Sequence, residues 1–537
     1  MVLLGCLKVE ESTIPEQIQF LEIVTITVYI LHNCTHRGHR KSYVGQRNQR
    51  SAAMSTATTP ARVHLYEQVA DKIERLIDKG TLKPGDRVPS VRKLNAQLGV
   101  SVSTVLQSYL LLEDRGVIEA KPQSGFYVRL RPRELPPEPR MSSPSSSASR
   151  VDIGALALEV HEAIMDPSII PLGAATPSDD LLPTRKLYRL LGSMARKHEA
   201  LSNRYDSPQG NYELRRQIAR RSIDWGGNLA PEDIVTTVGC SEALNLCLRA
   251  VTSSGDTVAV ESPVYFGFLQ ILEALNLRAL EIPTHPREGI CIDALETAIK
   301  KHRVAAVFLS ANFQNPLGSL MSDANKKTVV EMLARRDIPL LEDDVYGDLF
   351  FEGCRPKALK AFDKTGNVLL CSSFSKTLSP GFRIGWTVPG RFLNQVRRLK
   401  LTSSISTATL PQMAIAEMIG NGGYDHYLRR VRKAYAAQVQ LMTQAVRRYF
   451  PEGTKTTRPM GGTVLWAELP AGIDSVELYH RALEKNVSIV PGPLFSPKRQ
   501  YKECVRLNCG HSWSERIEEG MITLGQLALR MLPTNRR

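Results

Sequence analysis

Between residues 62 and 129 the apolar positions repeat with helical spacing. Leu65, Val69, Ile73, Leu76 and Ile77 fall on one helical face. Gly80 and the pair Pro84–Gly85 interrupt the pattern. Ser90 is placed to cap a second helix with Val91, Leu94 and Leu98 inward and Gly99 closing it. Ser101 is placed to cap a third, with Val105, Tyr109 and Leu112 inward, and Gly116 ends it. Val117–Ala120 and Phe126–Val128 then form a strand pair around Pro122-Gln123-Ser124-Gly125. Residues 130–150 change character: Pro and Ser dominate, no core can be built from them, and an extended linker is expected. From 151 to 537, short apolar runs (Val258–Val260, Ala305–Leu309, Leu340–Leu341, Val368–Cys371) alternate with helical patterns. That predicts an α/β domain with a mainly parallel sheet and helices on both faces.

Composition adds bounds. The 537 residues suffice for two to four domains at roughly 100–200 residues each, and 42% hydrophobic with 23% charged residues is ordinary for a soluble chain. The 69 Lys and Arg against 54 Asp and Glu leave +15, which suits an anionic partner. The nine cysteines are irregularly spaced, so reduced thiols and a cytoplasmic setting are expected. The apolar stretch Ile23–Leu31 is too short for a hydrocarbon core that needs about 20 residues. Glu10, Glu11, Glu16 and Glu22 stand where a signal peptide would be basic. No membrane span is expected. Residues 1–61 look foreign to the rest and hold a second methionine, Met54, so a tail from an upstream start is expected. Cys34, His36 and His39 complete no four-ligand metal set.

The order helix, helix–turn–helix, hairpin is that of a winged helix–turn–helix, whose third helix enters the major groove of DNA. The runs Leu65-Tyr66-Glu67-Gln68-Val69, Pro84-Gly85-Asp86-Arg87-Val88-Pro89-Ser90-Val91-Arg92 and Leu98-Gly99-Val100-Ser101-Val102-Ser103-Thr104-Val105 resemble the DNA-binding domain of GntR-type bacterial regulators. The resemblance implies that Arg92 binds a phosphate, that Ser101, Ser103 and Thr104 face the groove, and that Gly125 lets the wing tip approach the backbone. Relatives often carry Arg near positions 102 and 106, where this chain has Val102 and Leu106.

The large block carries a cluster of chemistry at strand ends, where open α/β sheets bind ligands. Ser373-Phe374-Ser375-Lys376-Thr377 follows the run Val368–Cys371, and Arg383 lies seven residues on. A desolvated Lys near other cations loses its proton readily and can form a Schiff base. Ser373, Ser375 and Arg383 can hold a phosphate beside it. Asp343, after Ile338–Leu341, could pair with a protonated pyridine nitrogen. Tyr346 and Asn315 could bond a ring's phenolic oxygen. Gly239-Cys240-Ser241 joins a strand to a helix N-terminus, which suits an anion. Tyr265 could stack on a planar ring, or belong to the core. Arg506, read as following a strand, suits an α-carboxylate, or forms a rim salt bridge.

In order and spacing these pieces resemble the fold-type I aminotransferases that use pyridoxal 5′-phosphate, over about residues 165–530. The resemblance implies that Lys376 is the lysine covalently joined to the cofactor and that Asp343 holds the ring nitrogen. Asn315 and Tyr346 would take the ring oxygen and Tyr265 the ring face. Cys240, Ser241, Ser373, Ser375 and Arg383 would surround the phosphate, and Arg506 would take the substrate carboxylate. Tyr205 would reach the phosphate of a neighbouring subunit, implying a homodimer. Cys240 departs from the Ser or Thr commoner there. A GntR-type domain (62–129), a linker (130–150) and an aminotransferase-like domain (151–537) together resemble the MocR-type regulators. The expected function is a regulator that binds double-stranded DNA and senses an amino acid, an amine or the vitamer, in the cytoplasm and on the nucleoid. The alternatives are an active aminotransferase with a DNA-binding appendage, and a bifunctional protein.

Overall fold

The computed structural model describes residues 64–78, 81–82, 85–121, 124–128 and 135–532. Met54, Ile23–Leu31 and the Cys34, His36 and His39 group lie outside the described residues. Among the described residues, no helix is long and apolar enough to cross a membrane.

The small block forms as its pattern dictates. Helices α1 (Leu65–Asp78), α2 (Val91–Leu98) and α3 (Val102–Asp114) precede an antiparallel pair, β1 (Ile118–Lys121) and β2 (Gly125–Val128). The Ser90 hydroxyl accepts the Lys93 amide and that of Ser101 accepts the Thr104 amide. Gly99 closes α2 in the left-handed conformation, at φ 64°. Val69, Ala70, Ile73, Leu94, Val105, Tyr109 and Leu112 are buried together. Leu65 and Leu76 depart from the expected inward face and are exposed. They lie toward the two ends of α1, beyond the small core that packs on Val69, Ala70 and Ile73.

The large block is built on one mixed sheet. Its central strands are parallel: β4 (Thr257–Ser262), β5 (Arg278–His285), β6 (Ala306–Leu309), β7 (Leu340–Asp343) and β8 (Val368–Ser373), in the order β5-β4-β6-β7-β8. Beyond β8 lie β9 (Gly385–Val388), which is antiparallel, and β3 (Val235–Thr237). Nearly every central residue is buried, which is why the sequence shows short unbroken apolar runs instead of alternation. A second, antiparallel sheet near the C-terminus contains β10 (Val464–Glu468) and β11 (Cys504–Asn508).

Residues 135–150 of the Pro/Ser-rich segment run extended and are docked on the large block. Glu138 pairs with Arg287 and Arg458, and Arg458 also donates to the Pro136 carbonyl. The Thr456 amide donates to the Pro137 carbonyl. Ser142 exchanges hydrogen bonds with Thr284, and its hydroxyl donates to the Ser262 carbonyl at 2.5 Å. Lys498 binds Ser147, and Ser149–Arg150 adds a short antiparallel strand to β5. Prolines remove backbone donors and stiffen a chain, so a few side-chain clamps suffice to hold this strap.

Glu138→Ala removes the carboxylate shared by Arg287 and Arg458. Ion pairs with exposed partners contribute about 1 kcal/mol or less, so the unfolding temperature should move by a few degrees at most. Native-state trypsin cleavage after exposed Arg140 should accelerate several-fold. Unchanged cleavage would show that the hydrogen bonds of Ser142 and Ser149–Arg150 hold the strap without the ion pairs.

Candidate functional site

The parallel strands end at one edge, and the chain turns there carry the chemistry. Ser262 ends β4 and leads to Tyr265; β6 leads to Asn315; Asp343 ends β7; Ser373 ends β8 and leads to Lys376. Helix α4 (Gly239–Val251) starts at the same edge, after β3.

Lys376 donates to the Ala175 carbonyl at 2.7 Å. Burial and then the Arg506 guanidinium pull its ammonium down from 10.5 to about 8, against the opposing pull of Asp343. Asp343 is buried and its carboxyl is pushed up to about 7, mainly by desolvation, although the Val345 amide and the Cys240 thiol donate to it. Cys240 therefore points toward the carboxylate at 3.8 Å, not toward the phosphate-binding side expected of it. Only its amide remains at the helix N-terminus, beside exposed Ser241.

Arg383 lies at that N-terminus. Its guanidinium donates to the Ser375 hydroxyl and to the Val238 carbonyl. A Cβ at Gly239 would stand 2.4 Å from the guanidinium, so glycine is required there. The Ser373 hydroxyl accepts the Ser375 amide. Arg383, Ser373, Ser375 and the first amides of α4 thus form one anion cradle.

Arg506 is only 1% exposed. It lies within β11 opposite Trp466, not after a strand as the sequence suggested. Its guanidinium donates to the Asn315 side-chain oxygen and the Gly173 carbonyl rather than to a rim carboxylate, and lies 5.7 Å and 5.5 Å from the adjoining rings of Phe266 and Phe495. Its Nε is buried without a partner, and so is the Tyr346 hydroxyl. With its oxygen taken by Arg506, Asn315 presents its amide nitrogen as a donor. Tyr265 is half-buried at the start of helix Phe266–Ala274, with its phenol pushed up by burial. Tyr205 is not brought into this pocket; it is 83% exposed on its own chain.

Five contributors, in three groups, carry no motif. The Gly173 and Ala175 carbonyls hold Arg506 and Lys376; small residues before a helix gave no signal. Phe266 and Phe495 looked like ordinary core. Arg355 is the third: it bridges Asp344 at 2.5 Å and Asp348 at 2.7 Å behind the Asp343–Tyr346 turn. The dense acids of Glu342-Asp343-Asp344 and Asp348 were its only sequence trace.

In the small block, Arg92 is exposed on the first turn of α2. The Ser101 hydroxyl lies 2.8 Å from that of Ser103 and 2.7 Å from that of Thr104, so these hydroxyls serve the helix cap. Gly125, at φ 97°, leaves room for the Arg87 guanidinium against the wing, 3.2 Å from where a Cβ would be.

A lysine-centred anion pocket on an α/β sheet, behind a winged helix–turn–helix, defines the class. Residues 170–520 match the family model for aminotransferase class I and II, and residues 65–128 match that for bacterial regulatory proteins of the gntR family. The chain belongs to the class I and II aminotransferase family, with a gntR-family domain ahead of it. It is 40% identical to the Escherichia coli K12 protein named uncharacterized HTH-type transcriptional regulator YdcR, over 86% of this chain and 98% of that one. It is 32% identical to the 2-aminoadipate transaminase of Thermus thermophilus, over 68% of this chain and 92% of that one. The crystal structure of Pyrococcus horikoshii kynurenine aminotransferase in complex with PMP is similar at a TM-score of 0.66 and 30% identity, covering 72% of this chain and 96% of that one. The cofactor of this family is pyridoxal 5′-phosphate. The unpartnered Arg506 Nε and Tyr346 hydroxyl, and the cradle that a Cβ at Gly239 would fill, fit it and a carboxylate ligand.

Attachment at Lys376, the role expected of it from the sequence, needs its amine neutral. Its ammonium is depressed to about 8, so the neutral form grows as pH rises and dominates above that value. Asp343 is ionised above about 7. Attachment of added pyridoxal 5′-phosphate, followed as borohydride-trapped mass, should rise through pH 7–8 and level off. Asp343→Asn should lose the limb near 7, and Lys376→Ala should trap nothing. A trapped adduct in Lys376→Ala would assign the attachment to another lysine.

Proposed function

We propose that this protein is a DNA-binding transcriptional regulator whose large domain holds pyridoxal 5′-phosphate and responds to an amino acid, an amine or the vitamer. The observation that carries the reading is the single strap joining the two functions. It leaves the DNA-binding block and is hydrogen-bonded, through Ser142, to the Ser262 carbonyl at the strand end that leads to Tyr265. The reading divides the chain at 62–129, 130–150 and 151–537, with the docked strap extending the large unit back to residue 135.

In this reading the Lys376 amine attaches the cofactor and the Asp343 carboxylate holds its ring nitrogen protonated. Asn315 and Tyr346 bond the ring oxygen, and Tyr265 covers the ring. Ser373, Ser375, Arg383 and the amides of Cys240 and Ser241 hold the phosphate. Bound there, the cofactor supplies an electron sink for an amino group's carbon. Arg506 directs its unpartnered Nε at an α-carboxylate and orients the ligand. With the cofactor bound, the Lys376 amine would be the group that moves a proton, because burial and the Arg506 guanidinium favour its neutral form. Tyr205 serves the neighbouring subunit of a homodimer, which accords with its exposure. A bacterial cytoplasmic location, on the nucleoid when bound to DNA, belongs to the same reading. The specific observation favouring the second reading, an active aminotransferase, is that buried Lys376, its ammonium depressed partly by Arg506, shares the site with that buried arginine and its unpartnered Nε.

An effector shifts DNA binding only if it prefers one state of the protein over another. Amines that react at Lys376 should change DNA affinity by a factor of about 5–150, the usual coupling range, and Lys376→Ala should lose the response. DNA isotherms unchanged by every reactive amine, with transamination at an enzyme-like rate, would replace the regulator with the aminotransferase. In the same assay Arg92→Ala should weaken binding to all sequences and lower the salt slope by about one; an unchanged slope removes Arg92 from the phosphate contacts.

A further inference from the structure

Helix α3 presents an apolar ridge that the core does not use. Val102, Leu106 and Leu110 are 47%, 41% and 59% exposed. They follow each other at intervals of four residues, so they line one edge of the helix. The core-facing side is a different one: Val105, Tyr109 and Leu112 are fully buried. The polar groups at the start of the helix are committed to one another, because Ser101, Ser103 and Thr104 share the cap hydrogen bonds. The methyls of Val102 and Leu106 therefore stand out from the first two turns, beside the exposed side chain of Gln107.

The fold and the charge of the block identify the occupant of the ridge: α3 is the third helix of a gntR-family winged helix–turn–helix, the helix that enters the major groove. Arg92 and Lys93 are exposed on the first turn of α2, Arg87 lies against the wing, and Lys121 ends β1 beside Tyr127. The acids of α3, Glu113 and Asp114, stand at its far end, and the Glu113 carboxylate is taken by the Ala120 amide. The block carries 11 Lys and Arg against 8 acids over residues 62–129. An exposed apolar edge on the groove-entering helix of a net-basic block suits a polyanion that offers apolar contacts. In the major groove of duplex DNA that apolar contact is the thymine 5-methyl group. Valine and leucine cannot hydrogen-bond purine edges, so they cannot replace the arginine–guanine contact.

We propose that Val102 and Leu106 read thymine 5-methyl groups, so that the sequence preference of this protein rests on the placement of thymines facing the first two turns of α3. The inference rests on the DNA-binding reading above.

The test uses the full chain loaded with pyridoxal 5′-phosphate. Bound duplexes are selected from a random pool, and the preferred one is resynthesised with dU for dT, one position at a time. Loss of one buried methyl should weaken binding about four-fold, at two or more positions per half-site. The Val102→Ala, Leu106→Ala double variant should bind the dT duplex no better than the original protein binds the dU duplex, with no further loss on dU. The dU duplexes need no altered protein, so a folding defect in the variant cannot mimic the result. Equal binding of dT and dU duplexes at every position, with a preferred duplex still selected, overturns the methyl reading and leaves DNA binding intact. A change of oligomeric state in the double variant, with dT/dU discrimination retained, overturns it in favour of a protein contact. Failure of the original protein to enrich any duplex removes the DNA-binding reading as well.

Discussion

One buried arginine makes the pocket possible. The segment from Glu342 to Asp348 carries four acids in seven residues, three of them buried. Asp343 and Tyr346 face the pocket; Asp344 and Asp348 face away and would repel Asp343 if unpaired. Arg355 bridges both of them, and Asn312 and Lys326 extend the network. A Cβ at Gly347 would stand 2.4 Å from the Asp344 carboxylate and 2.6 Å from the Arg355 guanidinium, so any larger residue there would push the ion pair apart. Removing one partner of such a buried pair costs about 3–5 kcal/mol. Here it would also release a negative charge next to the Asp343 carboxyl.

The same logic of compensated burial runs through the rest of the site. Arg506 is kept charged in the interior by two oxygen acceptors and two aromatic faces, with one N–H left over. Lys376 sits among cations that favour its neutral form, which is the reactive one. Glu261, in the strand beside these, is pushed up to about 8 by burial and keeps one oxygen unpartnered. Charge is placed where it binds or reacts and is neutralised elsewhere.

The strap changes how the two halves can communicate. A free Pro/Ser spacer would pass no mechanical signal, and coupling would need the DNA-binding block to dock elsewhere. With residues 135–150 clamped to the large block, the departure point of the chain is tied to the strands that carry the pocket. Movement at the Ser262 strand end then has a hydrogen-bonded path into the strap. What lies between Val128 and Leu135 is outside the described residues.

The sequence by itself determined the elements and the list of reactive side chains. Helical spacing, the Ser90 and Ser101 caps, Gly99 and the unbroken apolar runs are local signals, and local backbone physics answers to them directly. Lys376, Asp343, Asn315 and Arg383 could be singled out because each lies at the end of an apolar strand or in the chain segment that follows one. The tertiary structure alone decided what depends on contacts between distant residues. Cys240 turned to Asp343 across 103 positions, and Arg506 found its partners at Asn315 and Gly173. The strap was seated by Arg287 and Arg458, far along the chain from Glu138. Leu65 and Leu76 were left outside because a small core closes before it reaches them. No local pattern encodes such partners, because long-range pairing is set by the sheet order that brings the strand ends together.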